Sequence, residues 1–153
     1  MDKRGADGFV LFNRLFQPDI NIETEKHHFP YNLSHEQDNR LTLRFAGLLY
    51  GKVNASICAN NGIFNGADVI KMILAGADAV QVVSTIYKNG PKQITRMLND
   101  IEAWMTAKDY KSLDEFRGKL SNEKTKDPHT YRRAQYVDIL MKSNEIFKNY
   151  PMV

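Results

Sequence analysis

The chain has 153 residues, 42% of them apolar and 25% charged, and carries a net charge of +3. That is the composition of one ordinary globular domain able to bury a core. It excludes a membrane-spanning helix, because no apolar run approaches the ~20 residues a bilayer requires. The basic residues are scattered, which gives no nucleic-acid stripe and suits at most a small anion such as phosphate. Met1-Asp2-Lys3-Arg4-Gly5 has no apolar stretch behind its charges and does not read as a secretory signal. The single cysteine, Cys58, allows no internal disulfide, so a reducing, cytoplasmic location is expected.

In chain order, residues 8–13 (GFVLFN) form an apolar run fit for a strand buried on both faces. Residues 14–33, with Pro18, Pro30, His27 and His28, read as a long irregular loop. Ser34-His35-Glu36-Gln37 has the form of a capping box, with Ser34 as N-cap and Gln37 reaching back. Leu41, Phe45, Leu48 and Leu49 then recur at helical spacing, which predicts a helix over 35–50 stopped by Gly51. Residues 55–59 (ASICA) are the second strand, Asn60-Asn61-Gly62-Ile63 a turn, and Asn65 the cap of a helix over 66–75 that Gly76 ends. Residues 79–84 (AVQVVS) are the third strand. Gly90-Pro91 opens a helix over 91–107 whose stripe is Ile94, Met97, Leu98, Ile101, Trp104 and Met105. Ser112-Leu113-Asp114-Glu115 predicts a second capping box and a helix over 112–119. A polar linker over 121–127 leads to a long helix over 128–148 with Asp127 as cap.

Gly5-Ala6-Asp7 precedes the first strand and Gly76-Ala77-Asp78 the third, and strands alternate with helices throughout. Such alternation predicts parallel βα units. Three strands are too few to close a barrel, which takes about eight. Parallel βα proteins place ligands at the C-terminal ends of their strands. Those ends fall at Asn13-Arg14, at Asn60 to Ile63, and at Ser84-Thr85. The last two offer backbone amides of the kind that hold phosphate. Taken alone, Asn-Gly is more readily a plain turn and Ser-Thr a plain strand end than a phosphate site.

Residues 5–14 (GADGFVLFNR), 59–90 (ANNGIFNGADVIKMILAGADAVQVVSTIYKNG) and 101–120 (IEAWMTAKDYKSLDEFRGKL) resemble the final three strands and tail of the dihydroorotate dehydrogenases of the single-domain, cytosolic type. Order, spacing and chemistry agree over nearly all of residues 5–120. The resemblance implies a partial (β/α)8 TIM barrel, strands six to eight, over residues 1–110. Residues 111–153 follow as a C-terminal helical extension of the same domain. It implies an FMN-dependent oxidoreductase of pyrimidine biosynthesis, in which the flavin accepts a hydride from a dihydropyrimidine.

In that family amides after strands seven and eight hold the FMN phosphate. The Gly-Gly turn falls on Asn61-Gly62, with Ile63 next. The Gly-Thr pair falls on Val83-Ser84, with Thr85 next. The asparagine that contacts the pyrimidine substrate falls on Asn13. Asn61 and Val83 stand where the family has glycines, which keeps the amides and adds Cβ atoms to the pocket. Arg14 stands where the family has a small hydroxyl residue, which leaves room for a substrate other than orotate. The family's Cys or Ser base, its flavin-contacting lysine and strands one to five would lie upstream of Met1, so no catalytic residue is expected here. Cys58, inside the seventh strand, reads as a small buried residue rather than the base.

Two partner readings remain. Another chain supplies the missing strands to an enzyme, or a non-catalytic partial barrel associates with itself or a partner to cover its open edges. In the second case Phe9, Leu11, Val80 and Val82 are the residues expected to lack a covering wall. His27 and His28 with Glu23 and Glu25 read as a solvated loop rather than a metal site. Neither nucleic acid nor membrane is expected as a partner.

Overall fold

The computed structural model describes residues 1–12, 18–30 and 32–126. Five strands and four α-helices are found among them: β1 Gly8–Leu11, β2 Asp19–Asn21, β3 Lys26–His28, α1 Asn39–Leu49, β4 Ser56–Ala59, α2 Gly66–Ala75, β5 Ala79–Val80, α3 Ser84–Asn89 and α4 Lys92–Ala107. The main sheet has the order β1-β4-β5, and both of its pairings are parallel. Expected and observed strands therefore agree in where they start, to within a residue, and in direction. The helix expected over 128–148 lies outside the described residues.

The register sorts the strand residues onto two faces. Phe9 pairs with Ile57, and Leu11, Ala59 and Val80 form one row across the sheet. This face packs on the helices: Leu11, Ile57 and Ala59 join the core with Ala46, Val69, Met72 and Ile73, and Phe9, Val80 and Val82 lean against it. Met72 is fully buried, and removing such a side chain from water stabilises a fold by roughly 1.5–3 kcal/mol. The opposite face carries the row Val10, Cys58 and Ala79, beside Gly8 and Ser56. Val10 is 50% exposed there. The open face is thus not the one expected. Phe9, Leu11, Val80 and Val82 are covered by helices, because side chains alternate across a strand and the larger ones here point to α1 and α2.

The echoed Gly-Ala-Asp turns serve corresponding positions. Asp7 accepts the Ser56 N–H through its carbonyl at 2.9 Å. Asp78 donates its own N–H to Ile57 O at 2.7 Å, and its carboxylate accepts the Ile57 N–H at 2.7 Å. Each turn starts its strand in register with β4.

Four local expectations need correction. The N-terminus of the first long helix is shifted by one residue: a 3-10 turn, Glu36–Asp38, is capped at His35, and Asp38 rather than Gln37 reaches back, accepting the His35 N–H at 2.9 Å. The irregular loop contains an antiparallel hairpin, β2 with β3, turned by Asn21, whose side chain accepts the N–H groups of Glu23 and Thr24. All of its strand residues are exposed, so no buried face marked it. The third strand ends early, and Ser84 opens α3 instead of closing a strand. The helix expected over 112–119 shrinks to a 3-10 turn, Leu113–Glu115. Gly118, with φ 66°, cannot continue a helix and gives its N–H to Ile73 O at 2.9 Å.

Residues 111–126 fold back over the helices. Leu120 donates to Leu74 O and Asn122 to Gly47 O, each at 2.9 Å. Phe116 is fully buried against Trp104 and Tyr110, with ring centroids 5.0 and 5.2 Å away.

Candidate functional site

The C-terminal ends of β1, β4 and β5 meet on one edge of the sheet. After β4 the chain makes a tight turn with two consecutive left-handed residues, Asn61 at φ 69° and Gly62 at φ 63°. Asparagine and glycine are the residues that reach this region at least cost. Asn60 donates its N–H to Leu11 O at 2.6 Å, and the Thr42 hydroxyl is shared between Leu11 O and Asn60 O. The Asn61 side chain turns toward β1 and donates to Phe12 O at 2.6 Å.

Beyond the turn, Asp68 organises the chain. It is 4% exposed, and its carboxylate accepts from Phe64 N, from Asn39 Nδ2 and from Lys71 Nζ. Asn39 also donates to Gly62 O at 3.0 Å. Asn65 caps α2 as expected, accepting the Asp68 N–H at 2.9 Å.

The second half of the site begins at Val83, which is 55% exposed and leads into α3. Thr85 is fully buried and donates its hydroxyl to Phe64 O at 3.0 Å, with Asn89 donating to Thr85 Oγ1 in turn. That bond sets the two candidate segments, Asn61-Gly62-Ile63 and Val83-Ser84-Thr85, side by side. The N–H groups of Gly62, Ile63, Ser84 and Thr85 donate to no acceptor among the described residues. Buried amides are ordinarily paired, and these four stand out for that reason.

A third segment, which sequence reasoning did not connect to this site, closes the side toward α1. Ser34 donates its N–H to Ser84 Oγ at 2.9 Å, and Lys88 Nζ donates to Ser34 O at 3.2 Å. His35 lies against Gly62: a Cβ added there would fall 2.7 Å from His35 O and 2.5 Å from Asn39 N. Lys88 also stands 4.9 Å over the Phe64 ring. Ser84 and Lys88, one turn apart on α3, therefore grip the same residue. No local pattern announces these contacts, since the partners are 50 and 54 residues apart in sequence.

The remaining candidates are separate from this cluster. Asn13 and Arg14 lie outside the described residues. Cys58 sits mid-strand and partly buried, and burial pushes its thiol above the ordinary value, which disfavours the thiolate. His27 and His28 are on the exposed hairpin, with His28 Nε2 3.8 Å from Asp19 Oδ2. No cluster of His, Cys, Asp and Glu among the described residues could hold a metal. No helix among them is long and apolar enough to cross a membrane.

Known proteins resemble this chain in sequence and in fold. Residues 10–105 match the family described as dihydroorotate dehydrogenase. The chain is 40% identical over 73 residues to the probable dihydroorotate dehydrogenase A (fumarate) of Streptococcus pneumoniae, covering 46% of this chain and 24% of that protein. It is 30% identical over 123 residues to the dihydroorotate dehydrogenase B (NAD(+)) catalytic subunit of Caldicellulosiruptor saccharolyticus, covering 78% of this chain and 41% of that protein. In structure it is similar to the DHODH of Eimeria tenella solved in complex with ferulenol, with a TM-score of 0.62 at 23% identity over 76% of this chain and 32% of that one. The α/β fold with a parallel sheet is thus similar to part of a TIM barrel of this kind, and the chain spans less than half the length of each of these relatives. By the match over residues 10–105, the chain belongs to the dihydroorotate dehydrogenase family.

Proposed function

We propose that the chain supplies the flavin-phosphate end of an FMN-dependent, dihydroorotate-dehydrogenase-type oxidoreductase, with its three parallel strands standing as strands six to eight of the barrel. The observation that carries the reading is the set of four amides, Gly62 and Ile63 after β4 and Ser84 and Thr85 at the start of α3, that are unpaired among the described residues. The residues fit the group. The left-handed pair Asn61-Gly62 makes a tight turn after β4, and the backbone N–H groups of such turns are a kind that can hold an anion. The Asn61 side chain is engaged with Phe12 O, and Val83 is exposed beside Ser84. Ser84 accepts from Ser34 and keeps its own hydroxyl proton to donate.

When bound, FMN supplies the hydride-accepting chemistry. This chain's residues hold and orient its phosphate. Asn13, by the family resemblance, contacts a pyrimidine substrate, and none of the residues described acts as the base. Binding that depends on the phosphate separates FMN from riboflavin, which lacks it. Calorimetric titration of the purified chain should show FMN binding at least tenfold more tightly than riboflavin, about 1.4 kcal/mol. Equal affinities would overturn the assignment.

A second reading, a non-catalytic protein that associates with itself or a partner, is favoured by one feature. The row Val10, Cys58 and Ala79 leaves a sheet face open, flanked by the edges of β1 and β5, which are unpaired among the described residues. Both readings place the protein in the cytoplasm.

A further inference from the structure

The segment Ser34–His35 touches both halves of the amide cradle. The Ser34 N–H is bonded to Ser84 Oγ at 2.9 Å, and His35 O lies where a Cβ on Gly62 would come to 2.7 Å. Ser34 is 6% exposed and Gly62 is buried, so the contact is close. The segment is anchored differently at its two ends. On the C-terminal side it is fixed by the start of the first helix, where Asp38 accepts the His35 N–H at 2.9 Å and Asn39 donates to Gly62 O at 3.0 Å. At Ser34 it is held through Ser84 and by a long flexible side chain, Lys88, whose ammonium bonds Ser34 O at 3.2 Å. Lys88 Nζ forms no ion pair with a carboxylate among the described residues. Its other recorded contact is the Phe64 ring at 4.9 Å.

We propose that Ser34–His35 is a strap forming the third wall of the cradle and that Lys88 is its latch, a positioning residue that sets how fast a phosphate-bearing ligand leaves. The proposal rests on the reading of the cradle as a phosphate site. Two hydrogen bonds close the strap at Ser34, one to Ser84 Oγ and one from the Lys88 ammonium, and Ser84 is oriented by the strap it holds. When the strap lifts, Ser84 loses its Ser34 donor, its hydroxyl is free to rotate away from the ligand, and Gly62 loses the backbone packed against it. Releasing the latch therefore loosens both halves together.

The test separates the latch from the ligand. Backbone hydrogen exchange on the full chain without ligand should show the Ser34 amide exchanging roughly three- to tenfold faster in Lys88→Met than in the parent, the size expected for one net hydrogen bond. Lys88→Arg should restore slow exchange, and Lys92→Met, an exposed lysine on α4, should leave it unchanged. In stopped-flow fluorescence, FMN should dissociate faster from Lys88→Met by a similar factor. Unchanged Ser34 exchange in Lys88→Met overturns the latch whatever FMN does. Faster exchange with an unchanged FMN dissociation rate overturns the strap as part of the cradle. Faster exchange in a chain whose parent binds no FMN supports the latch and sinks the flavin reading alone.

Discussion

Asn39, the first residue of α1, and Asp68, in the first turn of α2, are joined by a hydrogen bond of 3.2 Å in a setting where both are almost wholly buried. Through this pair two helices that begin 27 residues apart hold one turn, since Asn39 also bonds Gly62 O and Asp68 bonds Phe64 N. Removing one partner leaves buried polar groups unpaired, which costs more than a surface bond would. Asp68→Ala should destabilise the chain by about 3 kcal/mol in urea unfolding, and should weaken FMN binding in the fraction that remains folded. A loss below about 1 kcal/mol would mean that the turn is held by other contacts.

Gly62→Ala tests the turn itself. A φ of 63° is strained for alanine, and the new Cβ would meet backbone atoms of Asn39 and His35 that have no rotamer by which to yield. The left-handed conformation alone costs roughly 1–2 kcal/mol. Thermal unfolding should therefore show a loss above about 2 kcal/mol. Gly90→Ala, also at positive φ but with nothing within 4 Å, should lose only the conformational part.

Cys58 provides a pH test. Its thiol is pushed up by burial, so the neutral form is the one the fold favours. The resulting stability is present below the ordinary thiol value and is lost as pH rises through the raised one. Labelling by a disulfide reagent at pH 8 should be slower in the folded chain than in urea, and the folded rate should climb more steeply with pH. Equal rates in both states would show a freely ionising thiol.

Phe116 tests the fold-back of residues 111–126. It is fully buried between Trp104 and Tyr110, and truncating such a ring typically costs about 3–5 kcal/mol. Phe116→Ala should show that loss, with a change in Trp104 fluorescence. A near-neutral result would mean that the segment adds nothing to the core.

The open sheet face makes self-association measurable. Val10→Lys places a charge at the half-exposed β1 end of the row Val10, Cys58 and Ala79 without touching the helix-covered face. Sedimentation should show the parent chain associating and the variant shifting toward monomer. A parent that is monomeric at high concentration would remove the reason for the second reading.

Much of this was legible in the sequence because it depends on short-range rules. Asn65 capping α2, Gly76 ending it, and apolar runs forming parallel strands follow from a few adjacent residues. The hairpin β2–β3 was not legible, because Ile20 and its neighbours bury nothing and leave no alternating pattern to read. The burial of Phe9 and Leu11 against helices, and the exposure of Val10, depend on strand register, which a continuous apolar run does not disclose. In the site, the two amide segments stood out as strand ends, and the family resemblance named them. Ser34, His35, Asn39 and Lys88 did not stand out. Their roles come from backbone groups and long-range partners, and serine or lysine in a loop or short helix is ordinary wherever it occurs.

The central claim is that the amides of Gly62, Ile63, Ser84 and Thr85 hold the flavin's phosphate. An amide-resolved NMR titration of the 15N-labelled chain with FMN, and separately with inorganic phosphate, tests it most directly. Both ligands should shift those four resonances, with the Ser34 amide moving alongside them, and leave Leu113 to Glu115 in place. FMN that binds while those four amides stay fixed, or a chain that binds neither ligand at millimolar concentration, would contradict it.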